Sequence, residues 1–115
     1  MNRTYSLKRH KEFRYTYRVG RSVGSQLFSL IWAKNRTDSV KIGFSVSKRV
    51  GNSVQRNRAK RRLRACITPM LGELRRGTNL IFVARRDVLT VPFPKMQQQM
   101  RDVLHRAALL SEKDA

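Results

Sequence analysis

Val40-Lys41-Ile42-Gly43-Phe44-Ser45-Val46-Ser47 alternates apolar and polar side chains, the signature of a strand with one buried face. Gly51-Asn52-Ser53 then breaks the alternation, with Ser53 placed to cap a helix. From there Ala59, Leu63, Cys66, Ile67 and Met70 gather on one side of a helical wheel, while Asn57, Arg58, Arg61 and Arg64 point the other way. Pro69 removes a backbone donor and crowds the preceding turn, so the helix is expected to kink or end there. A strand leading into an amphipathic helix sets an α+β plan for the chain.

Working outward, Leu27 to Lys34 is rich in apolar and aromatic residues, and Asn35-Arg36-Thr37-Asp38-Ser39 is turn material. This run and the 40–46 run are expected to pair as a β-hairpin. Upstream, His10, Phe13 and Tyr17 share a narrow stripe at helical spacing, and Gly20 is a plausible stop. Downstream, the unbroken apolar run Leu80-Ile81-Phe82-Val83-Ala84 predicts a central strand covered on both faces. After Pro92-Phe93-Pro94, the spacing of Met96, Met100, Val103, Leu104 and Ala107 predicts a last helix. The expected order is αββαβα, with helices on a small sheet and one domain spanning residues 1–115, its ends flexible over about 1–6 and 111–115.

Charge narrows the function. The 115 residues hold 26 Lys plus Arg against 7 Asp plus Glu, a formal charge of +19. Such an excess repels itself and is relieved by a polyanion, of which nucleic acid is the commonest in a cell. It excludes the ordinary profile of a neutral metabolic enzyme. Lys48, Arg49, Arg56, Arg58, Lys60, Arg61, Arg62 and Arg64 fall in one stretch with no acidic residue, and the segment from Arg3 to Arg21 holds seven more opposed only by Glu12. A solvated helix face usually mixes signs to gain pairs at i,i+4, which this helix does not. Arginine also grips phosphate at two points, where an ammonium cannot.

Phe13 and Tyr17 admit two readings: a helix packing on its sheet, or a stacking platform for unpaired bases. Trp32 and Tyr15 are weaker candidates for the second. Catalytic groups are scarce. Cys66, the single cysteine, lies on the apolar side of its helix and reads as an inert core thiol; it can form no internal disulfide. The two histidines have no partner in a recognisable motif, and the carboxylates are scattered without the close pair a two-metal nuclease needs. No zinc-ligand spacing, secretory h-region or membrane-spanning run is present, so a cytoplasmic protein with no protein-held metal is expected.

The stretch Lys41 to Arg64, with Lys48-Arg49, the Gly51-Asn52 turn, Arg56-Asn57-Arg58 and Lys60-Arg61, closely resembles the protein subunit of bacterial ribonuclease P. Lys11-Glu12-Phe13, Tyr17 and Gly20-Arg21-Ser22 look like that family's first helix and following turn, and the similarity runs to about Ala108. The resemblance implies a left-handed βαβ crossover, against the general preference for right-handed ones. It implies a protein cofactor of an RNA-based endonuclease that removes the 5′ leader from precursor tRNA, with catalysis in the RNA subunit and its Mg2+ ions. Lys48, Arg49, Arg56, Asn57, Arg58, Lys60, Arg61 and Arg64 would then bind the RNA subunit, while Phe13, Tyr17 and Ile31 would line a cleft for the single-stranded leader. Some relatives carry a tyrosine where this chain has Ile31, with Trp32 adjacent and directed oppositely. His10 stands where relatives often have a better helix cap. No obligate protein partner and no membrane are expected. The alternatives are a structural, ribosomal-type RNA-binding protein without a role in cleavage and, less favoured, a membrane-active cationic protein.

Overall fold

The run Leu80–Ala84 is interior, as its lack of any polar interruption requires. The structure, a computed structural model, describes residues 5–110. Its elements are α1 (His10–Val19), β1 (Arg21–Gly24), β2 (Phe28–Lys34), β3 (Val40–Ser45), α2 (Ser53–Ile67), β4 (Thr78–Ala84) and α3 (Phe93–Arg106), with 3-10 turns at Thr68–Glu73 and Arg86–Leu89. The four strands form one mixed sheet in the order β1-β2-β4-β3. β4 pairs antiparallel with β2 and parallel with β3, so β3-α2-β4 is the βαβ unit of the fold.

The expected hairpin between the 27–34 and 40–46 runs does not form, because β4 lies between β2 and β3. The turn that joins them spans the width of a strand, and Gly77 fills the gap. Asn35 N–H donates to Gly77 O at 2.8 Å and Gly77 N–H donates to Ser39 O at 3.1 Å. Gly77 has φ 74°, in the left-handed region that glycine enters without penalty. Period-2 alternation reports which face of a strand is buried, not which strand lies beside it. The true hairpin is β1–β2, in register from Arg21 opposite Trp32 to Gly24 opposite Ser29. Its turn is closed by Ser25, whose N–H donates to Phe28 O at 2.9 Å. β1 is short and largely exposed, which left it without an apolar signature.

α2 and α3 cover one face of the sheet. Ala59, Leu63, Cys66 and Ile67 of α2 and Met96, Met100, Val103 and Leu104 of α3 meet Leu30, Ile42, Leu80 and Phe82 in one core. Phe82 stands edge-on to Phe28 at 5.5 Å and stacks on Phe44 at 6.2 Å. Trp32 packs against this core, on the side opposite Ile31. α2 begins one residue earlier than the cap expected at Ser53: Asn52 accepts from Gln55 N–H at 2.9 Å, and the Gln55 side chain accepts from Asn52 N–H at 2.8 Å. This reciprocal box satisfies two donors that Ser53 would leave open. The helix ends at Ile67, and Pro69 sits in the 3-10 turn that follows.

α1 lies alone on the opposite face. Its fully buried residue is Thr16, whose hydroxyl accepts from Asn79 Nδ2 at 3.2 Å. A Cβ on Gly20 would stand 2.3 Å from Thr16 O and 2.8 Å from Trp32 O, so only glycine lets the chain turn from α1 into β1 this close to the sheet. The cap of α1 is Arg9 rather than His10 and makes no side-chain capping bond. Leu7 N–H donates to Ile42 O at 2.9 Å, tying the chain before α1 to the outer edge of β3. Most of the expected flexible ends, 1–4 and 111–115, lies outside the described residues.

Candidate nucleic-acid interface

The buried side of α2 fixes what the other side presents. With Ala59, Leu63, Cys66 and Ile67 fully buried, Asn57, Arg58, Arg61 and Arg64 are exposed, and Arg56 and Lys60 lie half-buried at the margin. Lys48 and Arg49 are exposed in the loop that enters α2. Arg62 has a different task. Its guanidinium donates to the backbone oxygens of Val88 and Leu89, at 3.0 and 2.8 Å, and also to Val91 O. A side chain that satisfies three carbonyls of the β4–α3 connection is a structural brace. It sits at the edge of the apolar side near Ala59 and Cys66 on the helical wheel, the signal in the sequence that separates it from its neighbours.

On the other face of the sheet, Phe13 lies on Gly43: a Cβ there would be 2.4 Å from Phe13 Cζ. Gly43, Ile81 and Ile31 are register partners and form one row across the strands beneath α1. Phe13, Gly43, Phe44, Lys60 and Arg64 border a groove of about 130 Å³. The Arg64 guanidinium carbon is 5.9 Å from the Phe44 ring centre. Two cations of the α2 face thus reach the edge of β3 and border the aromatic groove. Ile31 is half-buried under the end of α1, its Cγ2 3.0 Å from where a Gly20 Cβ would lie. Tyr17 is 45% exposed and borders a separate concavity on the outside of α1, with His10, Arg14 and Arg18. Phe13 is therefore brought together with the basic helix, while Tyr17 stands one turn away.

Asp38 pairs with Arg76 at 3.3 Å, Glu73 with Arg101 at 3.0 Å and Asp102 with Arg106 at 3.3 Å, none of these arginines belonging to α1 or α2, and Glu12 is the one carboxylate that α1 and α2 themselves carry. Cys66 is fully enclosed, and burial pushes its thiol up to about 12, with Arg62 pulling weakly the other way. It is no nucleophile at neutral pH. Among the described residues no group of three His, Cys, Asp or Glu side chains gathers as a metal site, and no helix is long and apolar enough to cross a membrane.

Comparison with known proteins gives this surface a context. A family model described as Ribonuclease P matches residues 1–108. The Ribonuclease P protein component of Chloroflexus aurantiacus is 38% identical over 111 residues, covering 96% of this chain and 82% of the relative. That of Symbiobacterium thermophilum is 32% identical over 114 residues, covering 98% and 99%. A solved structure of the Staphylococcus aureus RNase P protein superposes with a TM-score of 0.83 at 28% identity, over 93% of this chain and 98% of that one. The RNase P protein from Thermotoga maritima shares the fold, with a TM-score of 0.79 at 22% identity over 88% and 96%. A cationic helix on a mixed sheet, matched in sequence along nearly the whole chain, places this protein in the bacterial Ribonuclease P protein family.

Proposed function

We propose that this chain joins a catalytic RNA subunit and that the complex removes the 5′ leader from precursor tRNA. Lys48, Arg49, Arg56, Asn57, Arg58, Lys60, Arg61 and Arg64 bind the RNA subunit, and Phe13, Tyr17 and Ile31 hold the single-stranded leader. One observation carries the reading: Lys60 and Arg64 belong both to the cationic side of α2 and to the groove under Phe13. A strand leaving the RNA-covered helix meets aromatic surface without a break in positive charge. Phosphate contacts supply affinity and register, and the unpaired bases supply faces for stacking.

The protein brings no acid–base or nucleophilic group to the cleavage itself. Among the described residues no carboxylates gather as a Mg2+ site, and the reading assigns the ions that activate water to RNA phosphates. What the chain contributes is charge neutralisation and an ordered leader, which favour precursor over mature tRNA and lower the Mg2+ requirement. The test is reconstitution at low Mg2+ with a bacterial ribonuclease P RNA and a precursor tRNA. Leader release only when protein and RNA are both present supports the proposal. Tight, salt-sensitive RNA binding without stimulated cleavage would favour a structural RNA-binding protein instead.

A further inference from the structure

α1 has a second side. Opposite the Phe13 groove, it faces the 35–39 turn across a groove of about 590 Å³ bordered by Arg9, Lys11, Glu12, Tyr15 and Arg36, among others. Arg9, Lys11 and Arg36 are exposed, and Glu12 is the one carboxylate among the residues lining it. Tyr15 is 40% exposed, and its hydroxyl donates to Lys34 O at 3.2 Å, which anchors the ring to β2.

A chain of polar contacts, buried at its α1 end and exposed at the turn, shapes the groove. Asn79, 4% exposed, donates through Nδ2 to Thr16 Oγ1 at 3.2 Å and accepts at Oδ1 from Asn35 Nδ2 at 3.0 Å. Asn35 Oδ1 in turn accepts from Thr37 N–H at 2.9 Å. This chain runs from inside α1 through β4 into the turn, so the backbone carrying Arg36 is held at a set distance from Tyr15. The same bonds satisfy the buried Thr16 and Asn79, while Arg36 and Tyr15 both face solvent. Exposed cations around an anchored aromatic ring match one ligand chemistry, a single strand of RNA with a phosphate at the guanidinium and a base on the ring.

The second groove adjoins the concavity beside Tyr17 over the crest of α1. The concavity beside Tyr17 is bordered by Arg14, Lys11 and Tyr15, and the last two also border the second groove. We infer that nucleotides of a long 5′ leader, beyond those held at Phe13, pass over α1 at Arg14 and seat in the groove between Tyr15 and Arg36. This inference rests on the leader reading proposed above. It makes the chain a sensor of leader length as well as of leader presence.

The test uses the reconstituted holoenzyme and two precursors, one with a leader that only fills the Phe13 groove and one extended by several nucleotides. Tyr15→Ala and Arg36→Ala are expected to weaken binding of the extended precursor roughly tenfold, the scale of one lost stacked base or phosphate grip, and to leave the short one unchanged. Tyr15→Phe, which keeps the ring, retains most of the affinity. Thermal melting of each variant confirms that it is folded. Equal losses for both precursors, losses confined to RNA-subunit assembly, or no loss at all would overturn the inference. Phe13→Ala separates the two readings. If it leaves the short precursor unaffected, the leader assignment itself fails; if it weakens both precursors while Tyr15→Ala and Arg36→Ala weaken neither, only the second groove fails.

Discussion

The ring of Phe13 occupies the space that a side chain on Gly43 would need, with Cζ 2.4 Å from the position of the missing Cβ. The absence of a side chain in the middle of β3 is what seats the aromatic ring beside Lys60 and Arg64. Gly43→Ala therefore displaces the tip of Phe13 rather than backbone. We expect a stability loss of about 1 kcal/mol, at the low end for overpacking, because the ring can swing outward. Precursor affinity is expected to fall roughly tenfold, as for loss of a stacking partner. Chemical denaturation and precursor binding, measured on the same variant, check the pair of outcomes.

Adjacent arginines on α2 are expected to behave oppositely. Arg61 is exposed, so Arg61→Ala leaves stability within about 0.5 kcal/mol and lowers the log–log salt slope of RNA-subunit binding by roughly 0.7–0.9. Arg62 braces three backbone oxygens, so Arg62→Ala costs about 2–3 kcal/mol of stability with little change in that slope. Arg62→Lys should not restore it, because an ammonium lacks the planar fork that spans the carbonyls. Urea midpoints and salt titrations of the three variants decide the matter.

The start of α2 depends on Asn52 and Gln55, not on Ser53. Asn52→Ala is expected to cost about 1 kcal/mol, and Ser53→Ala to change stability by less than half of that. Paired thermal melts give the comparison directly.

Cys66 supplies a pH signature. Its thiol stands at an ordinary 9.0 when solvated and about 12 when buried. The folded state thus keeps a proton that the unfolded chain releases. The resulting stabilisation is fully present below about pH 9 and is lost as pH rises towards about 12. Cys66→Ala should flatten this part of the alkaline stability profile, apart from a constant offset for the lost packing. Thiol-reactive probes at neutral pH should label the wild type only under unfolding conditions.

Much of this architecture was legible in the residues themselves. The uninterrupted Leu80–Ala84 run announced a central strand, and the apolar stripes of 59–67 and 96–104 announced the helices on the core face. Strand order was not legible. Val40–Val46 showed its buried face plainly, yet only Gly77, bonded to both Asn35 and Ser39, records that β4 separates β3 from β2. Charge counting found the cationic helix but could not set Arg62 apart; only its place on the helical wheel, beside Ala59 and Cys66, separates the brace from its neighbours. The groove bordered by Tyr15 and Arg36 was hidden for a related reason: its walls come from α1 and from a turn that looked like mere connection.

The central claim is that Lys60 and Arg64 serve RNA-subunit binding and leader binding together. The most direct measurement compares the Lys60→Ala/Arg64→Ala double variant with wild type in two quantities: affinity for the RNA subunit, and the ratio of precursor to mature tRNA affinity in the assembled holoenzyme. The account predicts that both fall. A fall in subunit affinity with an unchanged precursor-to-mature ratio would contradict it, because the cationic helix and the aromatic groove would then be working independently.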